Sequence, residues 1–194
     1  MEKIPSFQDL TLDTETIAGL REEGVERLMA DHWSEIAVDQ DVIHLDPDWE
    51  RYELLERAKS LIFLGLRRST ELIGYASFQI HRHLHYRRSL FAFNDLIYVR
   101  PADRGIAGLY LILGCEHLLR QLQVQKATFH VKPEAGLRSP VAGDSLSQLE
   151  EMLELEEVFG IELQDGITSD SSDLSLLLEQ LGYRHQENSY GKLL

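Results

Sequence analysis

The residues whose types and spacing best fit a specific chemistry are an arginine and two glycines that follow an apolar stretch. FAFNDLIYV, residues 91–99, stops before Pro101, and the Arg104-Gly105-x-x-Gly108 loop then opens a long apolar helix. The first amides of a helix have no partner within it, and glycines let a phosphate approach the backbone. The spacing therefore predicts an anion site. A tight turn with a solvated arginine is the alternative, and neither a Walker A loop nor a Rossmann fingerprint is present.

The elements that must position this loop follow from hydrophobic periodicity and turn residues. The pattern predicts, in chain order, helices over 13–37 and 47–59, strands over 60–68, 71–84 and 91–99, a helix over 104–122, a strand over 126–133, helices over 145–160 and 174–181, and a last strand over 183–194. Asp46 is the expected cap of the second helix. This order predicts one α/β (α+β) domain over residues 1–194, with helices packed on the faces of a mixed sheet.

These motifs, in this order of elements, resemble the GNAT superfamily of acyl-CoA-dependent N-acetyltransferases, and within it the small phage-type members. The resemblance rests on a strand ending at Val99, a proline, and Arg-Gly-x-x-Gly at a helix start. It covers about residues 15–133 and 174–194, and HLHYRR at 83–88 also looks like the phage-type members. It implies a GNAT fold with a mixed central sheet of about six to seven strands, and an acidic helical insert precedes the last helix.

The resemblance implies acetyl-CoA as cosubstrate, with its pantetheine arm along the central strand and its pyrophosphate on the glycine loop. The residues that it assigns to this binding are Ile97, Tyr98, Val99, Arg104, Gly105, Ile106, Ala107, Gly108 and Leu109. The Tyr98 side chain alternates away from Val99, so a place in the core is the alternative for it.

The sequence matches the family's catalytic positions less completely than its cosubstrate-binding positions. Asp95 stands four residues before Val99, where family members often carry an acid, and burial would raise its pKa toward that of a useful base. A solvent-facing Asp95 is the alternative. The family's usual tyrosine position holds Leu178 here, and its usual Asn after the strand at 126–132 is missing. Tyr190 is the predicted general acid, Tyr183 could replace it, and packing in the sheet is the alternative for both.

Three histidines alternate along one strand, so His81, His83 and His85 should share a face. Imidazoles spaced in this way can bind a transition metal, and a metal-dependent enzyme is therefore a third reading. Nearby arginines disfavour a divalent cation, and no metal is expected. In the family this strand end lies beside the acceptor, so His83, His85 and Tyr86 are predicted to contact the substrate, for which an acidic group would suit.

Residues 134–173 form an acidic insert that contains eleven acids and one base, or −10 of the chain's net charge of −14. Within it, SLSQLEEMLELEEVFG predicts an amphipathic helix. Its apolar stripe is expected to hold Leu146, Leu149, Leu153 and Phe159, with Met152, Leu155 and Val158 beside it. A helix packed on the body, a homodimer contact and a lid over the acceptor are the open alternatives.

Composition excludes several classes of protein. The acidic balance argues against nucleic-acid binding, and no apolar run is long enough for a bilayer. MEKIPSFQDL has no secretory core, and the lone Cys115 forms no intrachain disulfide, so a cytoplasmic location is expected. The sequence thus predicts an N-acetyltransferase that acts on a small-molecule primary amine. The alternative is a catalytically weak GNAT-fold module that contacts a protein partner through the acidic insert.

Overall fold

The sheet at the centre of the molecule has five strands in the order β1-β2-β3-β4-β5. The computed structural model describes residues 3–130, 145–163 and 174–186. The strands are β1 (Leu10–Glu15), β2 (Leu61–Arg68), β3 (Glu71–His83), β4 (Tyr86–Val99) and β5 (Lys126–Thr128). The helices are α1 (Ile17–Glu22), α2 (Val25–Ile36), α3 (Trp49–Arg57), α4 (Ile106–Gln121), α5 (Ser145–Phe159) and α6 (Leu174–Gln180).

The first four strands pair antiparallel in chain order, and β5 joins β4 in parallel. The predicted mixed sheet flanked by helices is confirmed, with five strands in the described ranges rather than six to seven. Of the last predicted strand, residues 183–186 are not in a strand, and the rest lies outside the described residues.

The prediction of one long helix over 13–37 is wrong. Leu10 and Leu12 are buried on alternate positions of β1, which pairs with β2 and so becomes an edge strand of the sheet. Thr16 then caps α1 by accepting a hydrogen bond from the Gly19 amide at 3.1 Å. Gly24, with φ of 83°, separates α1 from α2 in a left-handed conformation that glycine adopts without strain.

The second predicted helix is confirmed with a later start. Asp48, rather than Asp46, caps α3, and its side chain accepts a hydrogen bond from the Arg51 amide at 3.0 Å. In the central sheet, β4 begins at Tyr86, five residues before the predicted start, because it continues directly from the turn after β3.

The sheet carries an apolar core on each face. On one face, α4 packs on the sheet through residues such as Leu111 and Leu118, and α5 and α6 add to the same core. Cys115 lies there, as predicted for a packing residue, and burial raises the pKa of its thiol. On the other face, α1 and α2 cover Phe63, Tyr75 and the side chain of Tyr98.

The register of α5 differs from the predicted stripe. Met152 and Leu155 are buried in the core, whereas Leu149 and Leu153 are more than half exposed. Phe159 reaches α4, where its ring centroid lies 5.9 Å from that of Tyr110. The prediction is thus confirmed for Phe159 and wrong for Leu149 and Leu153, because the packing of the helix on α4 turns the neighbouring stripe of Met152 and Leu155 toward the core. Across the described ranges, no helix has the length and apolar character needed to cross a bilayer.

Candidate functional site

Among the described residues, β4 and β5 pair over only three residues of each strand. β5 pairs with β4 at 91–93, and among the described residues no strand pairs with that edge of β4 further on. After this pairing, the next hydrogen bond between the two segments is to a side chain. The His130 amide donates to Oδ1 of Asn94 at 2.5 Å. Asn94 is itself buried. Among the described residues, the edge of β4 from Leu96 to Val99 therefore carries no paired strand, and we call this open edge the gap.

The backbone of β4 presents polar groups to this gap. The Arg100 amide donates to the Ile73 carbonyl at 2.9 Å, so at this position the backbone faces β3. Successive residues of a strand alternate, and the N–H and C=O groups of Ile97 and Val99 therefore face away from β3 toward the gap. Those of Tyr98 face β3. Of the three strand positions predicted to bind the cosubstrate, two have backbone groups on the gap side.

The glycine loop forms the start of α4. Gly105 has φ of 94°, a conformation that favours glycine, and α4 begins at Ile106. Gly108 and Leu109 both donate their amides to the Gly105 carbonyl, at 2.9 and 3.3 Å. Within the described part of the chain, the amides of Gly105, Ile106 and Ala107 have no acceptor, which leaves three donors at the positive end of the helix dipole.

Arg104 is held by the protein rather than left free at the helix terminus. Its Nη2 donates to both carboxylate oxygens of Glu35, at 2.6 and 2.7 Å, and its Nε donates to the Val99 carbonyl at 2.9 Å. The guanidinium also lies 5.6 Å from the ring centroid of Tyr98. Both charged side chains are 15% exposed. In this arrangement Arg104 joins α2 to the loop, and the free amides are the stronger candidates for binding an anion.

The side chain of Tyr98 belongs to the core, the alternative weighed for it from the sequence. Its ring stacks on His32 with centroids 4.8 Å apart, and His32 Nδ1 lies 2.8 Å from the Tyr75 hydroxyl. Burial is the largest cause that raises the pKa of Tyr75 and Tyr98. These phenols therefore stay protonated and serve as hydrogen-bonding parts of the scaffold beneath β4.

Asp95 is the extra residue of a β-bulge in β4. Its neighbours Asn94 and Leu96 both have partners in β3, and the register passes over Asp95 itself. The carboxylate is exposed, and it accepts a hydrogen bond from Gln79 Nε2 at 3.2 Å. It also lies beside Tyr52 of α3, whose pKa is raised first by burial and then by Asp95. The bulge therefore places a solvent-accessible carboxylate at the mouth of the gap, without the burial considered from the sequence.

A buried hydroxyl lies close to the bulge. Ser77 faces Leu96 in the β3–β4 register, and its Oγ, fully buried, has no hydrogen-bond partner among the described residues. Gln79 follows on the same face of β3. The bulge, the hydroxyl and the amide thus gather on the sheet face that α1–α3 partly cover.

The predicted substrate residues form a separate group at the hairpin end. His83 Nδ1 accepts the His85 amide at 3.1 Å, which closes the turn between β3 and β4. The His83 ring also lies 4.9 Å from that of Tyr86. His83 is five positions beyond Phe78 on β3, or roughly 17 Å along the strand. These residues are therefore not brought together with Asp95. The described ranges contain no group of three side chains that could ligate a metal ion.

Two other predicted positions can be placed. Leu178 is buried in α6, and Tyr183 packs edge-on against Phe129 with centroids 5.2 Å apart. Burial is the first cause that raises the pKa of Tyr183. Tyr190, the predicted acid, lies outside the described residues, as do most of residues 134–173 apart from 145–163.

Sequence reasoning missed several residues that build the site: Glu35, Tyr52, Gln79 and Asn94. Asn94 carried a signal, because it is a polar residue within an apolar strand and strand interiors disfavour Asn. The other three lie on separate elements, and no local spacing relates them to Asp95 or Arg104.

Four antiparallel strands, a fifth strand parallel to the fourth, and a glycine loop that opens the intervening helix are features of the GNAT fold, and this chain has that fold. Comparison with solved structures supports this assignment. A ribosomal-protein-alanine N-acetyltransferase from Brucella melitensis biovar Abortus 2308 is similar, with a TM-score of 0.57 and 15% identity, over 96% of this chain and 100% of that chain.

Two further structures show the same likeness. An aminoglycoside acetyltransferase from an uncultured soil metagenomic sample, in complex with sisomicin, gives a TM-score of 0.55 at 9% identity, over 96% of this chain and 97% of that chain. A transcriptional regulator from Bacillus halodurans C-125 gives 0.59 at 14% identity, over 95% and 99%. No protein-family model and no curated protein matches the sequence. At such identities the likeness establishes the fold.

Proposed function

We propose that the protein is an N-acetyltransferase that moves an acetyl group from acetyl-CoA to the primary amine of a small molecule. The observation that carries the proposal is the gap after Asn94. There the N–H and C=O groups of Ile97 and the N–H group of Val99 lead to the unpaired amides at the start of α4. An extended chain ending in a pyrophosphate fits this continuous row of donors and acceptors. The acetyltransferases among the structures of similar fold support the same assignment.

Each end of the cosubstrate has its own partners in this proposal. The pantetheine arm hydrogen-bonds to the backbone of Ile97 and to the amide of Val99, in the manner of a missing strand, while the Val99 carbonyl stays bonded to Arg104. The pyrophosphate accepts hydrogen bonds from the amides of Gly105, Ile106 and Ala107, where the helix dipole favours negative charge. Arg104, paired with Glu35, holds the loop in place.

The chemical step needs a neutral amine and a stabilised thioester oxygen. Asp95, at the mouth of the gap, removes a proton from the ammonium group of the acceptor, directly or through water. The nitrogen then forms a bond to the carbonyl carbon, and a gap-facing amide of β4 stabilises the oxygen. The C–S bond breaks, and the thiolate takes a proton from Tyr190, the proposed donor. The nitrogen loses its second proton as the amide forms, and this proton restores the Tyr190 phenol.

Calorimetric titration with acetyl-CoA and with CoA tests the binding half of the proposal. Gly108→Ala is the informative variant, because a Cβ at Gly108 meets no atom within 4 Å and the helix tolerates alanine. It should weaken acetyl-CoA binding about tenfold, because the added methyl group obstructs the close approach of the pyrophosphate to the backbone, while the fold persists. Thermal unfolding of Gly108→Ala beside the unchanged protein is the control for the fold. No binding by the unchanged protein would refute the assignment.

Turnover tests the chemical half. Asp95→Asn should abolish thiol release during acetyl transfer, while the affinity for acetyl-CoA stays unchanged. Tyr190→Phe should lower kcat in the same assay. Gln79→Leu removes only the hydrogen bond to Asp95, so it should have a smaller effect. Full turnover by Asp95→Asn would show that Asp95 is not the base.

A binding module is the second candidate, and the exposure of Leu149 and Leu153 on α5 favours it. Two apolar side chains on the free face of an acidic helix suit a protein partner that carries basic residues. Under this alternative the protein binds acetyl-CoA without measurable transfer to any amine. Replacing both leucines by serine would then abolish the partner contact and leave the affinity for acetyl-CoA intact.

A further inference from the structure

An exposed apolar segment joins α2 to α3. Residues 37–48 have the sequence AVDQDVIHLDPD, and we name them the linking segment. Of the nine large hydrophobic side chains that the described residues expose, four lie here, at 39% to 66% exposure: Val38, Val42, Ile43 and Leu45. Single exposed apolar residues are ordinary in proteins. Several of them close together in one segment instead form a patch of the kind that binds a ligand.

Hydrogen bonds hold the backbone of the linking segment in place. Gln40 Nε2 donates to the Ser34 carbonyl at 3.3 Å, which fixes the segment to the end of α2. The Asp39 carbonyl accepts hydrogen bonds from the amides of Val42 and Ile43, both at 2.9 Å. The apolar side chains are therefore presented from a hydrogen-bonded turn, and their exposure is part of the fold.

The two ends of the linking segment lie beside the gap and the candidate base. Before its start, Glu35 of α2 holds Arg104, whose Nε donates to the Val99 carbonyl. After its end, Tyr52 of α3 lies beside Asp95. Asp95 and Val99 are separated by roughly 13 Å of strand. The linking segment thus joins a helix end held at Val99 to a helix that contacts Asp95, at the same part of β4.

The linking segment is acidic as well as apolar. It contains no lysine or arginine and four aspartates, at positions 39, 41, 46 and 48. Asp48 caps α3, and the other three are exposed. Together with the exposed Asp95, these carboxylates attract an ammonium group and repel a carboxylate or a phosphate. The apolar side chains between them offer contact to an aliphatic group that the ammonium carries.

We propose that the linking segment binds the body of the acceptor, and that the acceptor is a primary amine on an aliphatic chain without a carboxylate or phosphate. The ammonium group faces Asp95, and the aliphatic chain lies along Val38, Val42 and Ile43. The hairpin arginines that favoured an acidic acceptor in the sequence begin β4, and Arg87 stands eight positions before Asp95. This inference rests on the proposed acetyl transfer for the fate of the amine. The binding needs no cosubstrate, so it can be measured separately.

Three amine probes test the inference by calorimetry without acetyl-CoA. Hexylamine carries its ammonium group on an aliphatic chain, and ethylamine carries the same group on a short one. In ε-aminocaproate a carboxylate replaces the end methyl group of hexylamine. We expect hexylamine to bind in the millimolar range or tighter. It should bind about tenfold tighter than ethylamine, which is less than half of the free energy of fully burying four methylene groups, and about tenfold tighter than ε-aminocaproate.

Tryptophan fluorescence locates the binding. The chain has two tryptophans, Trp33 in the last turn of α2 and Trp49 at the start of α3, and they flank the linking segment. Hexylamine should therefore shift the emission of the protein, with the same midpoint as in calorimetry. Calorimetric binding with no change in emission would place the amine elsewhere and overturn the inference.

Variants separate the apolar contact from the charge. Val42→Ser with Ile43→Ser, both at exposed positions, should weaken hexylamine binding about fivefold and leave ethylamine binding unchanged. Val42→Ile with Ile43→Val keeps the apolar area and should retain the affinity. Asp39→Asn with Asp41→Asn should strengthen ε-aminocaproate binding about threefold. Asp39 has φ of 61°, a conformation that asparagine also adopts, so this variant should fold.

Leu84→Ser is the matched control, because it replaces an apolar residue that is 97% exposed on the turn between β3 and β4. It should change the affinity for none of the three probes. Turnover gives a second measurement. With acetyl-CoA present, Val42→Ser with Ile43→Ser should raise KM for hexylamine and leave kcat unchanged. A lower kcat at an unchanged KM would contradict a role in binding the acceptor.

Equal affinity for hexylamine and ethylamine would overturn the apolar contact, and equal affinity for ε-aminocaproate would overturn the exclusion of anions. No binding of hexylamine at millimolar concentration would overturn the subsite as a whole. Binding of hexylamine by a protein that fails to bind acetyl-CoA would support the linking segment and refute the acetyltransferase. Acetyl transfer without preference among the three amines would do the reverse, so the two failures are distinct.

Discussion

The Arg104 guanidinium and the Glu35 carboxylate, 69 positions apart in the chain, are joined by two hydrogen bonds of 2.6 and 2.7 Å. The pair connects the last turn of α2 to the loop that opens α4. Both side chains are mostly buried, so each charge depends on the other for its solvation. The position of the candidate anion site is therefore set by α2, a helix that is distant from the glycine loop in the sequence.

Breaking the ion pair between Arg104 and Glu35 should lower the free energy of unfolding. Glu35→Ala leaves the partly buried Arg104 charge without its partner, and we expect the free energy of unfolding to fall by about 2 kcal/mol. Arg104→Ala should cost a similar amount. Denaturant unfolding of both variants and of the double variant gives the coupling. Arg120→Ala, in an ion pair with Glu116 whose arginine is 66% exposed, is the control and should cost under about 1 kcal/mol. Fully additive losses would contradict direct coupling.

Asn94 should matter both for stability and for the gap. Asn94→Ala removes the acceptor of the His130 amide, and we expect a loss of about 1–2 kcal/mol in the free energy of unfolding. The end of β5 then loses its position, and the affinity for acetyl-CoA should also fall. His130→Ala keeps the backbone donor and serves as the matched control. Unchanged ligand affinity in a destabilised Asn94→Ala protein would show that this contact does not shape the gap.

Buried phenols predict a loss of stability at alkaline pH. Burial raises the pKa of Tyr75, Tyr110 and Tyr183 above the ordinary value of about 10. Above that pH the unfolded chain releases protons that the folded chain retains. Stability is therefore constant with respect to these groups below about pH 10 and falls above it, by up to about 1.4 kcal/mol per pH unit for each phenol.

Thermal unfolding between about pH 8 and about pH 11 measures this effect. Tyr110→Phe removes one titrating group, together with a hydrogen bond from its hydroxyl to the Pro5 carbonyl. The variant should be less stable at neutral pH, and its stability should decline less steeply above about pH 10. Tyr86→Phe, at an exposed ring, should follow the unchanged protein. An equally steep decline in both variants would exclude Tyr110 as a contributor.

The register of α5 can be tested by paired leucine substitutions. Leu155 is fully buried, so Leu155→Ala should lower the free energy of unfolding by about 3 kcal/mol. Leu153 is 55% exposed, and Leu153→Ala should change it by less than about 0.5 kcal/mol. Thermal or denaturant unfolding distinguishes these outcomes. Similar losses at both positions would favour the stripe first predicted from the sequence.

Local patterns were sufficient to predict much of the fold. The hairpin of β2 and β3, the strand before the glycine loop and the apolar α4 follow from short runs bounded by turn residues. β1 was missed because LTLDTE is short and half polar, and it lies directly before a helix. Its strand conformation comes from pairing with β2, more than fifty residues later, and no local pattern reports that contact.

The candidate site also has one part that could be predicted from the sequence and one part that could not. The glycine loop could be predicted because the loop and the helix start are adjacent in sequence. The partner of Arg104 could not, because nothing in the spacing of α2 points Glu35 toward a loop so distant in the chain. The same holds for the rings around His81, where the H-x-H pattern left a metal as one alternative to substrate contact. The stacked phenylalanines of the next strand became visible only with the register of β3 and β4.

The parallel pairing of β5 also has a consequence for the order of assembly. β2, β3 and β4 follow one another through short turns, so their contacts close small loops. β5 reaches β4 only after α4 has crossed the sheet, and it then pairs with three residues. During synthesis, the β3–β4 hairpin that carries Asp95 therefore leaves the ribosome before β5 and the start of α4. The antiparallel part of the sheet can therefore form early, and the parallel edge beside β4 is completed last.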